Sequence, residues 1–446
     1  MKIPEIQLPQ AVCAVMEQLE SCGHTAWVVG GCVRDSLRGV RPNDWDLTTS
    51  ATPEQVQKIF PNVRLTGLQH GTITVLHAGM ALEVTTYRGE SAYTDGRRPD
   101  HVRFLSRVED DLARRDFTIN AMAYHAERGL CDPFGGHTDL QNGVLRAVGD
   151  ADARFAEDAL RILRGVRFVG KTGFQMEEQT ADAMYRQMYR LETVAAERVF
   201  AELDALLTSR YVGRALRRYR AVLAVVLPEA APMFGLCQHN PHHRYDVWEH
   251  TVRAVEAVPA ESCLRWVMLL HDSGKPRAYT IDDAGVGHFY GHPEISRTLA
   301  EQVMVRLHTA NALRKEVTSL VLLHDNPIGQ TERQVRRFLA KHGEACTRRL
   351  LAIKKADCTG QDTFSIHLQE LQQTERLVNQ ICAKAPCLTL HELAIDGHML
   401  CQMGLSGPSV GAALDWLLAQ VVEGIVPNEP DALRTCAVQW KENQYV

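Results

Sequence analysis

Residues 26–50 read AWVVGGCVRDSLRGVRPNDWDLTTS, and the fold of the first third of the chain turns on them. The run from Ala26 to Val29 is short and apolar and ends in Gly30 and Gly31, the pattern of a strand entering a tight turn. Glycines there let backbone N–H groups approach a triphosphate closely, and Arg34 supplies charge to neutralise it. A plain glycine turn with a surface arginine fits the same letters. Asp44 and Asp46 stand two apart in NDWDL, so on a strand both carboxylates face one way and Trp45 the other. Two carboxylates that close repel unless a cation sits between them. Magnesium answers that need, because it takes oxygen ligands and bridges substrate phosphates.

Upstream of this stretch, Val12, Val15, Met16 and Leu19 recur at helical spacing and predict a helix within residues 1–25. Downstream, TITVLHAG and ALEVTTYR add β-rich runs, so residues 1–149 read as a mixed α/β unit with a small sheet. From about Asp150 the pattern is helical, with few internal breakers. The cluster PEAAPMFGLCQHNPHHRYD marks a boundary near 228–246, and a second helical, histidine-bearing block follows. The rest, opening at APCLTLHELAIDG, is helical with a polar tail. The expected division is 1–149, 150–228, 229–362 and 363–446, a multidomain chain, as its 446 residues require.

Composition narrows the classes. A hydrophobic fraction of 45% and a charged fraction of 23% suit a soluble globular protein. No window approaches the roughly 20 apolar residues of a membrane span, and MKIPEIQLPQ lacks a signal-peptide core. A cytoplasmic location is expected. The 12 cysteines form no Cys-x-x-Cys pair, which predicts reduced thiols rather than a structural zinc site. A net charge of −5 argues against a uniformly basic coat, but phosphates respond to local patches. Arg97–Arg98, Arg114–Arg115 and Arg217–Arg218 are candidates for such patches.

VVGGCVRDSLRG followed by NDWDLTTSA closely resembles the head signature of class II tRNA nucleotidyltransferases and bacterial poly(A) polymerases, within the polymerase β superfamily. Further segments match in the family's order. TTYRGESAYTDGRRPDHVRF is similar to its flexible loop region, RRDFTINAMAY to its next motif, DPFGGHTDLQNGVLRAVGD to its link, and EDALRILRGVRF to its nucleotide-selecting helix. The resemblance implies an α/β polymerase-β-like head, an all-α neck and a helical, tRNA-binding tail. It implies that Gly31 and Arg34 touch the incoming nucleotide, that Asp44 and Asp46 hold magnesium, and that Arg115 binds phosphates or ribose. Glu83 would be a third carboxylate, unless it simply pairs with an arginine.

In that helix Asp158 and Arg161 stand at i and i+3, neighbours on a helical face, and Arg164 and Arg167 extend a basic arc. Cytosine and adenine both present an exocyclic amine beside a ring-nitrogen acceptor. Asp158 can accept from the amine while Arg161 donates to the ring. Uracil and guanine set a carbonyl where the amine was, against the carboxylate. The family's pair acts as a protein template for CTP and ATP, so the partners implied are these nucleotides and the tRNA 3′ end. An intrahelical salt bridge is the plain alternative.

In the histidine-bearing block, WEHT carries His250, LLHDSGKP carries His271 and Asp272, GHFYGHPE carries His288 and His292, and LVLLHD carries His324 and Asp325. Two His-Asp pairs end apolar helical runs, where their tips can converge, and imidazole with carboxylate suits a divalent metal that activates water. The pattern resembles the HD superfamily of metal-dependent phosphohydrolases. That resemblance implies His250, His271, Asp272 and Asp325 as ligands of a divalent metal of open identity. His292 is a candidate for a second metal, and Lys275 for a phosphate contact. In tRNA nucleotidyltransferases with such a domain it implies phosphatase or 2′,3′-cyclic phosphodiesterase activity. Three other readings compete: a poly(A) polymerase, a CC- or A-adding specialist, and an HD phosphohydrolase whose head merely docks RNA.

Overall fold

The computed structural model describes residues 5–67, 71–90, 102–239, 245–360, 364–384 and 386–443. Residues 91–101, with the Arg97–Arg98 pair and much of the expected loop region, lie outside them. The chain forms two compact units. One holds Met1–Ala231 with Arg306–His308, the other Pro232–Val305 with Thr309–Val446.

The first unit opens with α1 (Gln10–Ser21), whose buried face is Val12, Val15, Met16 and Leu19 with Ala11, as the spacing predicts. Its first nine strands are β1 (Ala26–Val29), β2 (Asp46–Thr49), β3 (Val63–Gly67), β4 (Thr72–His77), β5 (Met80–Thr86), β6 (Arg88–Glu90), β7 (Val102–Phe104), β8 (Ala123–His125) and β9 (Gly129–Cys131). Seven of them make one sheet in the order β3-β4-β5-β2-β1-β8-β9, while β6 and β7 pair separately. Only β2 and β5 run parallel among its neighbours, so the sheet is mixed, as expected. Short helices α2 (Gly31–Leu37), α3 (Pro53–Ile59), α4 (Val108–Ala113) and α5 (Gly136–Asn142) connect these strands. Gly30 has φ +80°, which only glycine adopts cheaply, and this turns β1 into α2.

Helices follow: α6 (Ala151–Glu157), α7 (Leu160–Thr172), α8 (Glu178–Gln187), α9 (Ala196–Leu207), α10 (Val212–Arg218) and α11 (Arg220–Val226). The α7 sequence is amphipathic and buries Ile162, Leu163, Val166 and Val169, leaving its arginines for the opposite side.

The second unit is mainly helical: α12 (Val247–Ala257), α13 (Ser262–Leu270), α14 (Lys275–Ala278), α15 (His292–Arg306), α16 (Asn311–Leu323), α17 (Glu332–Asp357), α18 (Phe364–Ala383), α19 (Gly397–Gln402), α20 (Pro408–Val422) and α21 (Pro430–Asn443). The apolar α13 is buried almost throughout, from Cys263 to Leu270. The last three helices share a core built on Leu400, Leu417, Leu433 and Trp440. No helix among the described residues is long and apolar enough to cross a membrane.

Candidate functional site

A cavity of about 560 Å³ opens in the first unit, in the size range of nucleotide pockets. Gly30, Gly31, Asp46 and Glu83 line one part of it, and Asp158, Arg161, Arg164 and Arg167 another. Asp46 begins β2 and is register-paired with Glu83 on the parallel β5, which puts both carboxylates on one face. Asp44 departs from the expected strand: it lies exposed, just ahead of β2, while Trp45 between them is buried. Burial, then the charges of Glu83 and Asp44, raise the Asp46 carboxyl above its usual range, with Arg115 pulling the other way. Asp46 and Glu83 side by side in the cavity, with Asp44 just ahead of them in the chain, offer carboxylate oxygens of the kind a hard divalent cation takes.

The arginines are anchored. Buried Arg34 donates to both Asp35 oxygens at 2.8 Å and to Asn120 Oδ1 at 2.6 Å. Arg115 lies against Gly30, where a Cβ would come 2.9 Å from Nη1 and push the guanidinium aside. Arg115 also pairs at 3.4 Å with buried Asp111. Burial pushes the Asp111 carboxyl up, but Arg114 and Arg115 hold it below the ordinary range. Arg164 pairs with buried Asp116 at 2.6 Å, and both Arg164 and Arg167 reach Glu202 on α9.

Asp158 and Arg161 do not share one helix, which corrects the i, i+3 expectation. Helix α6 ends at Glu157, and Asp158 caps it in an extended conformation, φ −140° and ψ 102°. Its Oδ1 accepts the Leu160 N–H at 3.1 Å, so the aspartate starts α7 rather than riding on it. Its Oδ2 accepts from Arg198 on α9 at 2.8 Å. Arg161 donates to Glu157 at 2.7 Å and to the Arg154 and Arg114 carbonyls at 3.1 and 2.8 Å. Both still line the cavity. Asp116 lies in the quoted RRDFTINAMAY segment but was assigned no role, and the counter-charges Glu202 and Arg198 carried no motif signal, because they arrive from another helix.

The second unit gathers a buried histidine–aspartate cluster. His271 and Asp272 follow the end of α13, His292 opens α15, His324 follows α16, His250 sits inside α12, and Asp357 closes α17. His250 Nε2 lies 2.9 Å from Asp357 Oδ1 and 3.4 Å from Asp272 Oδ2. His271 Nε2 lies 3.2 and 3.3 Å from the same two atoms. The other Asp272 oxygen faces His292 at 3.4 Å and His324 at 4.0 Å. Asp272 thus sits between two trios, His250–His271–Asp272 and Asp272–His292–His324, each with donor atoms close enough to hold one ion.

The expected ligand Asp325 is not in the first trio. Asp357 approaches His250 and His271 there, and the half-exposed Asp325 approaches the second trio, 3.5 Å from His292 and 3.6 Å from His324. The chain turns after α16 so that the His324 imidazole is buried in the cluster while the Asp325 carboxylate stays at its rim. His324 and Asp357 were not among the expected ligands: Asp357 ends α17 beyond its break at Gly343, and no spacing ties it to the earlier pairs. Lys275 is buried, its ammonium 2.8 Å from Asp272 and 3.0 Å from Gln238 Oε1, so it is committed within the protein.

The imidazoles are oriented for ligation. Nδ1 of His271, His292 and His324 lies 2.7, 2.9 and 2.6 Å from the carbonyls of Met268, Phe289 and Val321. A carbonyl only accepts, so each ring donates from Nδ1 and turns Nε2 into the cluster. His292 and His324 bring their Nε2 atoms to 3.2 Å. Two lone pairs at that distance repel unless a proton or cation joins them. Burial pushes His271 down, but Asp272 and Asp357 lift it to about 10. Burial and then His271 push His324 down to about 4. The carboxylates draw positive charge into the cluster while a neighbouring imidazole resists a second proton. Four imidazoles and two carboxylates fit divalent transition metals.

Comparisons with known proteins agree across the chain. Residues 26–146 match the family model of the poly A polymerase head domain, 173–234 that of a probable RNA and SrmB-binding site of polymerase A, and 290–437 that of a putative tRNA nucleotidyltransferase domain 2. The chain is 32% identical to a CCA-adding enzyme of Leuconostoc mesenteroides, covering 98% of this chain and 99% of that one. It is 33% identical to the CCA-adding enzyme of Lactiplantibacillus plantarum, covering 96% of each. A crystal structure of the Bacillus stearothermophilus CCA-adding enzyme in complex with CTP aligns with TM-score 0.74 and 28% identity, over 98% of this chain and 99% of that chain. The Thermotoga maritima CCA-adding enzyme complexed with tRNA shares the fold, with TM-score 0.61 and 19% identity over 98% of this chain and 97% of that chain.

Proposed function

The chain belongs to the family of CCA-adding enzymes, a nucleotidyltransferase family that implies dependence on divalent metal, and from that premise we propose how its two centres work. The first unit adds C, C and A from CTP and ATP to the 3′ end of tRNA without a nucleic-acid template. One observation carries this: a single cavity is lined both by the carboxylates Asp46 and Glu83 and by the base-reading candidates Asp158 and Arg161. Asp44 and Asp46 would hold magnesium, with Glu83 beside them. Magnesium there supplies charge neutralisation at the phosphates and activation of the attacking hydroxyl. The Gly31 backbone, Arg34 and Arg115 bind and orient the triphosphate, and Arg164 and Arg167 extend the positive wall. The tRNA 3′ hydroxyl forms a bond to the α-phosphorus and pyrophosphate leaves. Asp158 accepts from the base amine while Arg161 donates to the ring nitrogen, so the incoming base competes with Arg198 for Asp158.

The test offers a tRNA lacking its last three nucleotides with magnesium and labelled CTP and ATP. Addition of C, C and A followed by a stop is the expected result, and long adenosine tails would turn the reading to a poly(A) polymerase. Asp158→Ala should relax base choice more than it slows pyrophosphate release. Unaltered selectivity for CTP over UTP in that variant rules out its template role.

A second reading concerns the second unit. There the inward-turned imidazoles around Asp272 favour a divalent-metal centre with phosphohydrolase chemistry. His250, His271, Asp272 and Asp357 would hold one cation, and Asp272, His292 and His324 another. Such cations supply an activated water and neutralise phosphate charge.

A further inference from the structure

Two cavities reach the histidine–aspartate cluster. One, of about 490 Å³, is walled by Asp272, Lys275, Phe289, Tyr290 and His292. The other, of about 540 Å³, is walled by Ile328, Gln330, Lys354, His367 and Leu371. His324, Asp325 and Asp357 line both, so the cluster borders each of the two cavities. We propose that this centre hydrolyses an acyclic phosphodiester laid across the cluster, one organic group in each cavity, in preference to a phosphate monoester. The proposal rests on the reading of the cluster as a metal-dependent phosphohydrolase.

The shapes on either side support it. A monoester carries one organic group and would leave one of the two cavities unfilled. A diester carries one charge and needs room on both sides of phosphorus instead. The first cavity offers an aromatic shelf. Tyr290 is 79% exposed and stacked on His288, with ring centroids 5.2 Å apart and planes at 9°, and Phe289 lies beside it. Exposed aromatic faces of this kind take a base or another flat ring. The second cavity has apolar wall at Ile328 and Leu371, with the exposed His367 among its lining residues. In the reaction the oxygen of water forms a new bond to phosphorus and one ester P–O bond breaks. The released group leaves as an alcohol carrying a proton from the water, and the other stays on a phosphomonoester.

The test uses the full chain loaded with manganese, its metal content read by plasma mass spectrometry. Binding of diphenyl phosphate and phenyl phosphate is then measured by calorimetry, and hydrolysis of bis(p-nitrophenyl) phosphate and p-nitrophenyl phosphate by absorbance. The diester should bind and react about tenfold better than the monoester. Tyr290→Ala and Leu371→Ala, in opposite cavities, should each weaken diphenyl phosphate by about three- to tenfold at unchanged metal content. Preference for the monoester, or a loss confined to one of the two variants, overturns the two-sided assignment while leaving the metal centre standing. Manganese content no higher than in a His271→Ala, His324→Ala double variant overturns the metal centre, and the proposal with it.

Discussion

Asp116 shows what one carboxylate contributes behind the nucleotide cavity. It is nearly fully buried, pairs with Arg164 at 2.6 Å, and accepts from the Phe117 N–H and the Asn120 amide at 2.8 and 3.1 Å. Burial alone would raise its pKa. Arg164 and the two donors reverse that and lower it from 3.8 to about 2. A folded value below the unfolded one means stabilisation that is complete above roughly pH 4 and lost as the pH falls toward 2, worth about 2 kcal/mol. Asp116→Asn should therefore be less stable in urea at pH 7 and lose less between pH 4 and 2 than the parent. Parallel loss in both proteins over that interval would show that Asp116 is not the group responsible. At this scale the motif letters told which residues would meet: Gly31, Asp46, Glu83, Arg115 and Arg161 all border or support one cavity. The pairings of their counter-charges were illegible, since Asp116, although inside a quoted motif, and Glu202 and Arg198 pair across elements and leave no local pattern.

Elements position these residues through their ends. Helix α5 starts where the Asp132 carboxylate takes the Gly136 and His137 N–H groups at 2.7 and 2.9 Å. A Cβ on Gly136 would lie 2.1 Å from the Thr118 carbonyl oxygen. Backbone cannot rotate away as a side chain can, so Gly136→Ala must displace the turn Thr118–Asn120, and with it the Asn120 that holds Arg34. The expected cost is about 1–3 kcal/mol, with weaker CTP binding. Thermal melting and a CTP titration check this; a variant matching the parent in both would mean the turn yields without moving Arg34. Periodicity revealed α1 and the amphipathic α7, because their faces are set by apolar spacing. It failed at Asp158, where a side chain bonding its own backbone breaks the helix. It failed again at Asp357, whose role depends on where the far end of α17 arrives.

For the whole molecule, a net charge of −5 coexists with a cavity lined by Arg34, Arg114, Arg115, Arg161, Arg164 and Arg167. Total charge is therefore a poor guide to what a phosphate meets, and local pairing decides it. The two centres lie in separate compact units, each with its own buried contacts and ligand elements. Independent sites that share no partner behave additively. Asp46→Ala should abolish incorporation of C, by roughly a thousandfold or more, since its carboxylate is a proposed magnesium ligand, and should leave the manganese content of the second unit unchanged. His324→Ala should do the reverse, lowering bound manganese while C, C and A are still added to trimmed tRNA. Melting curves that retain a cooperative transition exclude unfolding as the cause in either variant. If one of these substitutions, with folding intact, removed both nucleotide addition and metal binding, the two centres would be one coupled device, and the reading of two chemistries on one chain would fall.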